Sequence, residues 1–415
     1  MPLLREIRSL TSAQRKTFSA CFLGWTLDAF DFFLLTFCLK AIAAGFHVSV
    51  KQVAEAVFWT LVMRPVGAFL FGAMAERYGR RPTLMLNIVA FSVFELASAV
   101  APTLSSFLFC RALFGIAMGG VWGVGAALAL ETLPAEGRGF FSGLLQEGYV
   151  VGNLLAAVLY LGFPYLHGHG FFTAWRMLFV VGAVPSLLLL LLLRKVDESP
   201  AWLREKSAAK TREVRRGTMV QEVWKNLPSL LALTVLMTAF MSFSHGTQDL
   251  YPTFLQKDHG FSAQLTGGIA ILYNIGAIAG GIVFGSFSEK IGRKWAIILA
   301  ALLALPVIPL YALSHSVWVL AGGAFVMQFM VQGAWGVVPA WLSELSPGPV
   351  RATFPGLAYQ LGNFIASWNA VIQTRAAERF GLGVVLACTV AIVACYLATV
   401  AAFGRESRGA DLTAT

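Results

Sequence analysis

Charge is scarce in this 415-residue chain: Asp, Glu, Lys and Arg make up 13% of it, against 57% hydrophobic residues and a mean hydropathy of +0.71. A soluble domain carries roughly 25% charged residues, so the shortage excludes that class. Cysteine is rare too. All five (Cys21, Cys38, Cys110, Cys388, Cys395) sit in apolar runs without metal-ligand spacing, so no disulfide framework and no cysteine-bound metal is implied and they are expected to be small buried hydrophobes. No nucleotide loop, metal motif or nucleophile elbow occurs, so an enzyme is not expected and no cofactor is implied. Residues 1–16 are polar and basic and lead straight into an apolar run, so no cleavable signal peptide is expected.

What is present is apolar length. Twelve runs of about twenty residues, enough to cross a hydrocarbon core of about 30 Å, lie near 18–39, 53–74, 83–101, 105–129, 140–163, 175–193, 228–252, 264–287, 295–313, 317–341, 354–374 and 383–403. The net charge of +10 follows from their topology. Of the 31 Lys and Arg, 23 fall in the terminal segments and the loops on the same side, 5 in the opposite loops, and Arg64, Arg111 and Arg176 in or beside spans. That is the positive-inside bias, with both termini cytoplasmic in a cytoplasmic membrane. It accounts for the basic balance with lipid as the partner and no nucleic acid.

The chain divides as 1–193, a basic linker 194–226 holding Arg204, Lys206, Lys210, Arg212, Arg215 and Arg216, and 227–415. The outer parts repeat. GAMAERYGRR (Gly72, Glu76, Arg77, Gly79, Arg80) returns 213 residues later as GSFSEKIGRK (Gly285, Glu289, Lys290, Gly292, Arg293), and the same offset carries Trp122 onto Trp335, Glu131 onto Glu344, Arg138 onto Arg351 and Gly143 onto Gly356. The expectation is an all-α membrane protein of twelve transmembrane helices in two pseudo-symmetric six-helix bundles, with a site between them and a rocking motion of one against the other. The repeated loops supply glycines for close approach and tight turns, and charges for a network that breaks and reforms during rocking.

Polar residues inside the runs mark the candidate site, because they are costly in lipid unless they face the bundle interior or water. His245, Gln248 and Asp249 are spaced to share one helical face. They line a path or cap a helix that Pro252 breaks. Asp28 and Asp31 share a face of the first run. Counting about 1.5 Å per residue puts Asp31 and Arg111 at matching depths, so the two are open to pairing, either as a proton-coupling pair or as a static salt bridge. Arg64, about 16 Å into its run by the same count, suits a carboxylate ligand, or else pairs with Glu95 or Glu147. Gln360 and Asn363, one turn apart, either orient a small polar ligand or bond a neighbouring helix.

Over nearly its whole length the chain resembles the major facilitator superfamily: the paired loops match its signature, with Glu76 and Glu289 where Asp is commoner. Arg111, Gly115 and Gly119 resemble its second motif and DESPAWL (Asp197 to Leu203) its signature after span six, while the antiporter motif of span five has no match. SHGTQD followed by Thr253 resembles the signature of lactate and pyruvate permeases in the sialate:proton symporter branch, with Met241 and Thr247 departing from it. AFD in span one, RPVG at Arg64 and the QxxN at Gln360 are consistent with that branch. The resemblance implies proton-linked import of a short monocarboxylate such as lactate or pyruvate, with His245, Gln248, Asp249, Gln360 and Asn363 along the path. Sialic acid or an aromatic acid as substrate, and a non-transporting sensor of the same fold, are the alternatives.

Overall fold

The computed structural model describes residues 2–161, 174–211 and 219–412. Arg212, Arg215 and Arg216 of the linker lie outside the described residues. Among those described, regular structure is helical throughout with no strand. Spans one to four are Ser12–Phe46, Val50–Tyr78, Arg80–Ala99 and Leu104–Thr132. The fifth is Arg138–Gln146 continued by Gly148–Leu161, and the sixth is Ala174–Leu193. Span seven is Leu227–Gln248 continued by Tyr251–Lys257, span eight Ala263–Ile291, and span nine runs from Arg293 to Ala312. Span ten is Val317–Leu345, span eleven Phe354–Ala366 continued by Trp368–Phe380, and span twelve Leu382–Phe403.

Among the described residues 10 helices are long and apolar enough by themselves to cross a membrane. The two expected spans beyond that number, five and eleven, are each interrupted at one residue, Glu147 and Ser367. Span seven breaks after Gln248, just ahead of Pro252, as a ring without an N–H requires. The outward faces are apolar, with Phe109, Val158, Trp318, Ile392 and Phe403 all well exposed. In a helical bundle such faces suit lipid rather than water.

The repeat is visible in helix boundaries. Spans two and eight are both 29 residues long, as are spans four and ten, and each pair starts and stops at the sequence offset of 213. The glycines of the repeated loop divide their work. Gly79 and Gly292 close spans two and eight with φ of 116° and 99°, a region that favours glycine. Gly72 and Gly285 instead serve close approach: a Cβ on Gly72 would lie 2.7 Å from the Thr353 Cα, and one on Gly285 3.2 Å from the Gly143 Cα.

Those approaches join the two halves at the end of the bundle that carries both repeated loops, called here the motif end. Span five meets spans eight and ten there, and span eleven meets span two. Gly139 and Gly143 of span five face Gly285 and Gly281 of span eight, backbone to backbone. Toward the opposite end the halves part around a cavity.

Enlarging a packed position costs about 1–3 kcal/mol, and a cost carried by one of two states shifts their ratio tenfold for about 1.4 kcal/mol. Gly285→Val, whose methyls would meet span five only while the motif end is closed, should therefore lower transport severalfold while leaving the yield of folded protein unchanged. Uptake measured beside size-exclusion profiles checks this; wild-type uptake would mean that the seam is not tight.

Candidate functional site

The cavity between the halves has a volume of about 560 Å³. Arg64, Gln146, Tyr149 and Asn153 line it from the N-terminal half, and His245, Gln248, Asp249, Gln328, Gln332, Trp335, Tyr359 and Asn363 from the C-terminal half. Its aromatic cluster joins the halves. Tyr359 lies 4.6 Å from Trp122 and 5.8 Å from Trp335, the tryptophans that the repeat makes equivalent, and Trp25 stacks on Tyr149 at 5.8 Å.

Arg64 reaches the cavity because span two packs very closely on span four: a Cβ on Gly119 would sit 2.9 Å from the Arg64 Cα. Arg64 is 5% exposed, with Asp28 at 3.5 Å. Its partner is thus neither Glu95 nor Glu147. The pairing is loose: both Asp28 oxygens and Arg64 Nε lack a hydrogen-bond partner, as does the indole Nε1 of Trp335 on the cavity wall. Unsatisfied buried donors beside a cavity suit an anion that would accept from them.

Across the cavity His245 joins two spans. Its Nδ1 lies 3.0 Å from an Asp249 oxygen and its Nε2 2.9 Å from Asn363 Oδ1. Donation to both acceptors needs the imidazolium; with the Asn363 amide turned over, a neutral ring can accept instead. Gln248 Nε2 donates to Gln328 Oε1 at 3.0 Å. Span eleven braces this stretch, since Asn369 donates to the Ser242 carbonyl and Gln373 to the Gly246 carbonyl. Gln360 stands apart from the group expected of it: it is buried with a free Nε2 and is not among the lining residues.

The expected Asp31–Arg111 pair is not formed. Arg111 binds Glu95 at 2.5 Å with both side chains fully buried. Asp31 lies in the same enclosed region, acted on by Arg111, Glu95 and the Ser186 hydroxyl. Depth counting located Arg111 along the bundle but not around it, and span three proved the nearer neighbour.

At the motif end the repeated glutamates cross between halves. Glu76 accepts from the backbone N–H of Ala352 at 2.5 Å, and Glu289 from that of Gly139, each at the start of the opposing fifth or eleventh span. Each also holds its own arginine, Arg80 at 2.8 Å and Arg293 at 2.9 Å. Arg80 extends to Glu131 and Arg293 to Glu344, while Arg138 reaches Glu344 from the other half at 3.3 Å. Arg77 and Lys290 are exposed, and neither side chain forms an ion pair among the described residues.

Sequence reading missed half of this device. Glu198 accepts from the N–H groups of Arg80 and Arg81, and Ser199 bonds Glu131. Glu406 accepts likewise from Arg293 and Lys294, and Ser407 bonds Glu344. The shared Glu-Ser dipeptide of DESPAWL and RESRG was the available signal, displaced from the common offset and so overlooked.

Comparison with known proteins agrees with this architecture. The family model described as sugar (and other) transporter matches residues 16–227 and 229–407. A carboxylic acid transporter protein homolog of Saccharomyces cerevisiae is 30% identical over 91% of this chain, which spans 64% of that relative's length. The sialic acid transporter NanX of Escherichia coli is 28% identical, with 91% of each chain covered. A probable 4-methylmuconolactone transporter of Cupriavidus pinatubonensis is 30% identical, covering 86% of this chain and 82% of its own. The proton:xylose symporter XylE bound to 6-bromo-6-deoxy-D-glucose superposes with a TM-score of 0.77 at 20% identity, covering 97% of this chain and 98% of that one, a likeness of fold.

The His245 chain yields a test. His245→Ala removes the bond to span eleven and Asp249→Asn the charge held on the other ring nitrogen, so both should alter the pH profile of uptake or the apparent substrate affinity without reducing folded protein. Initial rates across a pH series, normalised to protein recovered, measure this. Wild-type kinetics at every pH would reduce the stretch to a helix end.

Proposed function

The chain belongs to the sugar (and other) transporter family, and from that premise we propose that it moves an organic acid anion together with a proton by alternating access. The observation that carries the reading is Arg64, a buried guanidinium on the cavity wall with an unfilled Nε and only a loosely held carboxylate beside it. Arginine's planar fork suits a carboxylate at two points.

A substrate anion taking the Arg64 fork competes with Asp28. Deprived of its counter-charge, a carboxylate so buried is costly in ionised form and takes up a proton instead. Anion and proton then travel together, and one of each makes the cycle electroneutral. Asp31, beside a guanidinium that Glu95 already occupies, is the second acid with this capacity. With the basic segments facing the cytoplasm, the cavity opens outward and the closed motif end is the cytoplasmic gate. An inward proton gradient then makes import the direction.

For the substrate, a short monocarboxylate such as lactate or pyruvate fits the span-seven stretch and its resemblance. A second reading draws on size. At about 560 Å³ the cavity is in the range of roughly 300–1,000 Å³ usual for drug-sized ligands, and its tyrosines, tryptophan and amides suit the body of an aromatic acid or sialic acid. Named relatives that carry carboxylic acids and sialic acid support the acid class. Uptake into proteoliposomes of labelled lactate, pyruvate, benzoate and sialic acid, with and without an inward proton gradient, separates these. Counterflow of none of them would leave a sensor as the better reading.

Two expectations follow for the acid site. Arg64→Lys should weaken carboxylate binding and Arg64→Gln weaken it further, while esters or amides of the same acids gain nothing from Arg64; calorimetry giving an unchanged Arg64→Gln affinity would place the anion elsewhere. Asp28→Asn should abolish gradient-driven accumulation and spare at least part of substrate exchange, since exchange needs no change of protonation. Equal loss of both in folded protein would make Asp28 a structural partner of Arg64, and Asp31→Asn then becomes the variant to measure.

A further inference from the structure

Span five presents Gly139, Gly143 and Glu147 to the opposite half at successive turns of helix. The two glycines lie against Gly285 and Gly281, and the third position holds a carboxylate. Glu147 is 2% exposed, neither oxygen has a hydrogen-bond partner, and the helix is interrupted at this residue. Gly281 makes room for it, because a Cβ there would run into its carboxylate. Beyond it lies the Gln332 carbonyl, an acceptor that offers a carboxylate nothing. Trp25 and Thr26 approach from span one at neighbouring Gly148, and among the described residues no side chain forms an ion pair or hydrogen bond with the Glu147 carboxylate.

A carboxylate without donors or counter-charge is excluded from such a place in its ionised form, whereas the neutral acid, one O–H and one C=O, is tolerated. The repeat supplies the comparison. The offset that carries Gly143 onto Gly356 carries Glu147 onto Gln360, which is 2% exposed in the matching position of span eleven. A neutral side chain of the same length therefore fits this environment in the same molecule, and the ionisable one is what distinguishes the N-terminal half.

We propose that Glu147 is a proton-binding site of the seam: the motif end closes over Glu147 as the neutral acid, and when the halves part there the acid loses its proton to the water that enters from the motif side. The idea rests on alternating access of the two halves and is separate from proton carriage by Asp28. Protons on the motif side thereby favour return to the state seen here. The outer layer of the same closure has the opposite sign. Glu76 and Glu289 hold it as anions paired with Arg80 and Arg293, so protonating them loosens the closed end.

That opposition of sign makes the test. Cysteines introduced at the exposed positions Glu136 and Pro349 carry spin labels on either side of the motif end. The chain's own cysteines, of which Cys388 and Cys395 are exposed rather than buried as expected, are replaced by serine, and electron-resonance distances are taken on the full chain in nanodiscs without substrate. With one proton linked, the open-to-closed ratio in the wild type should rise as pH rises, by up to about tenfold per pH unit. Glu147→Gln should stay closed across the series, and Glu147→Met serves where Gln does not fold. The distances are read without substrate or transport, whereas coupling at Asp28 is read in gradient-driven accumulation, so failure of coupling at Asp28 and failure of this site are told apart. A wild-type distribution indifferent to pH, opening on acidification, or wild-type behaviour in the neutral variants would each overturn the assignment.

Discussion

A guanidinium taken out of water needs an acceptor; six are so buried here, Arg176 against the Ala99 carbonyl and five in ion pairs that organise this protein. Arg64, Arg80, Arg111, Arg138 and Arg293 are each 5% exposed or less. Removing one partner of such a pair strands the other at several kcal/mol, so each arginine fixes the mutual position of two or three helices. The partners differ in how firmly they hold. Arg111 with Glu95 is short and enclosed, a fastening within the N-terminal half. Arg80 and Arg293 are shared among several acceptors. Arg64 is the exception, with one carboxylate at the limit of contact and open space beside it. The weak member of the set is the one that faces the cavity.

Much of the fold was legible because it is written in composition and in repetition. Apolar length dictates helices across a membrane, and one offset linking Gly72 to Gly285 and Trp122 to Trp335 dictates two like halves. Spans five and eleven read as continuous runs but are interrupted at Glu147 and Ser367, breaks that contain no proline to announce them. Helix ends were clearer where chemistry required them, as at Gly79 and Gly292.

Of the candidate site, residue types were legible and partners were not. His245, Gln248, Asp249, Asn363 and Arg64 do converge on one cavity, because polar groups in apolar runs have few other places to go. Which acid meets which base depends on rotation about each helix axis, a quantity that counting residues along the chain does not supply. Hence Arg111 went to Glu95 and Arg64 to Asp28. Gln360 shared a face of the sequence pattern with Asn363 yet is buried and absent from the cavity lining, and its place opposite Glu147 in the repeat carries the information.

The two glutamate bonds at the motif end, Glu76 to Ala352 and Glu289 to Gly139, have a mechanical meaning. A single bond near an axis leaves two bodies free to pivot about it; two equivalent bonds set to either side of that axis resist twist as well as separation. Shear of one half along the other would stretch both at once, whereas a tilt about the line through them stretches neither at first order. While the motif end stays closed, reciprocal capping thus acts as a hinge pin in two pieces, leaving the halves one easy direction in which to move until those bonds break and the end itself parts.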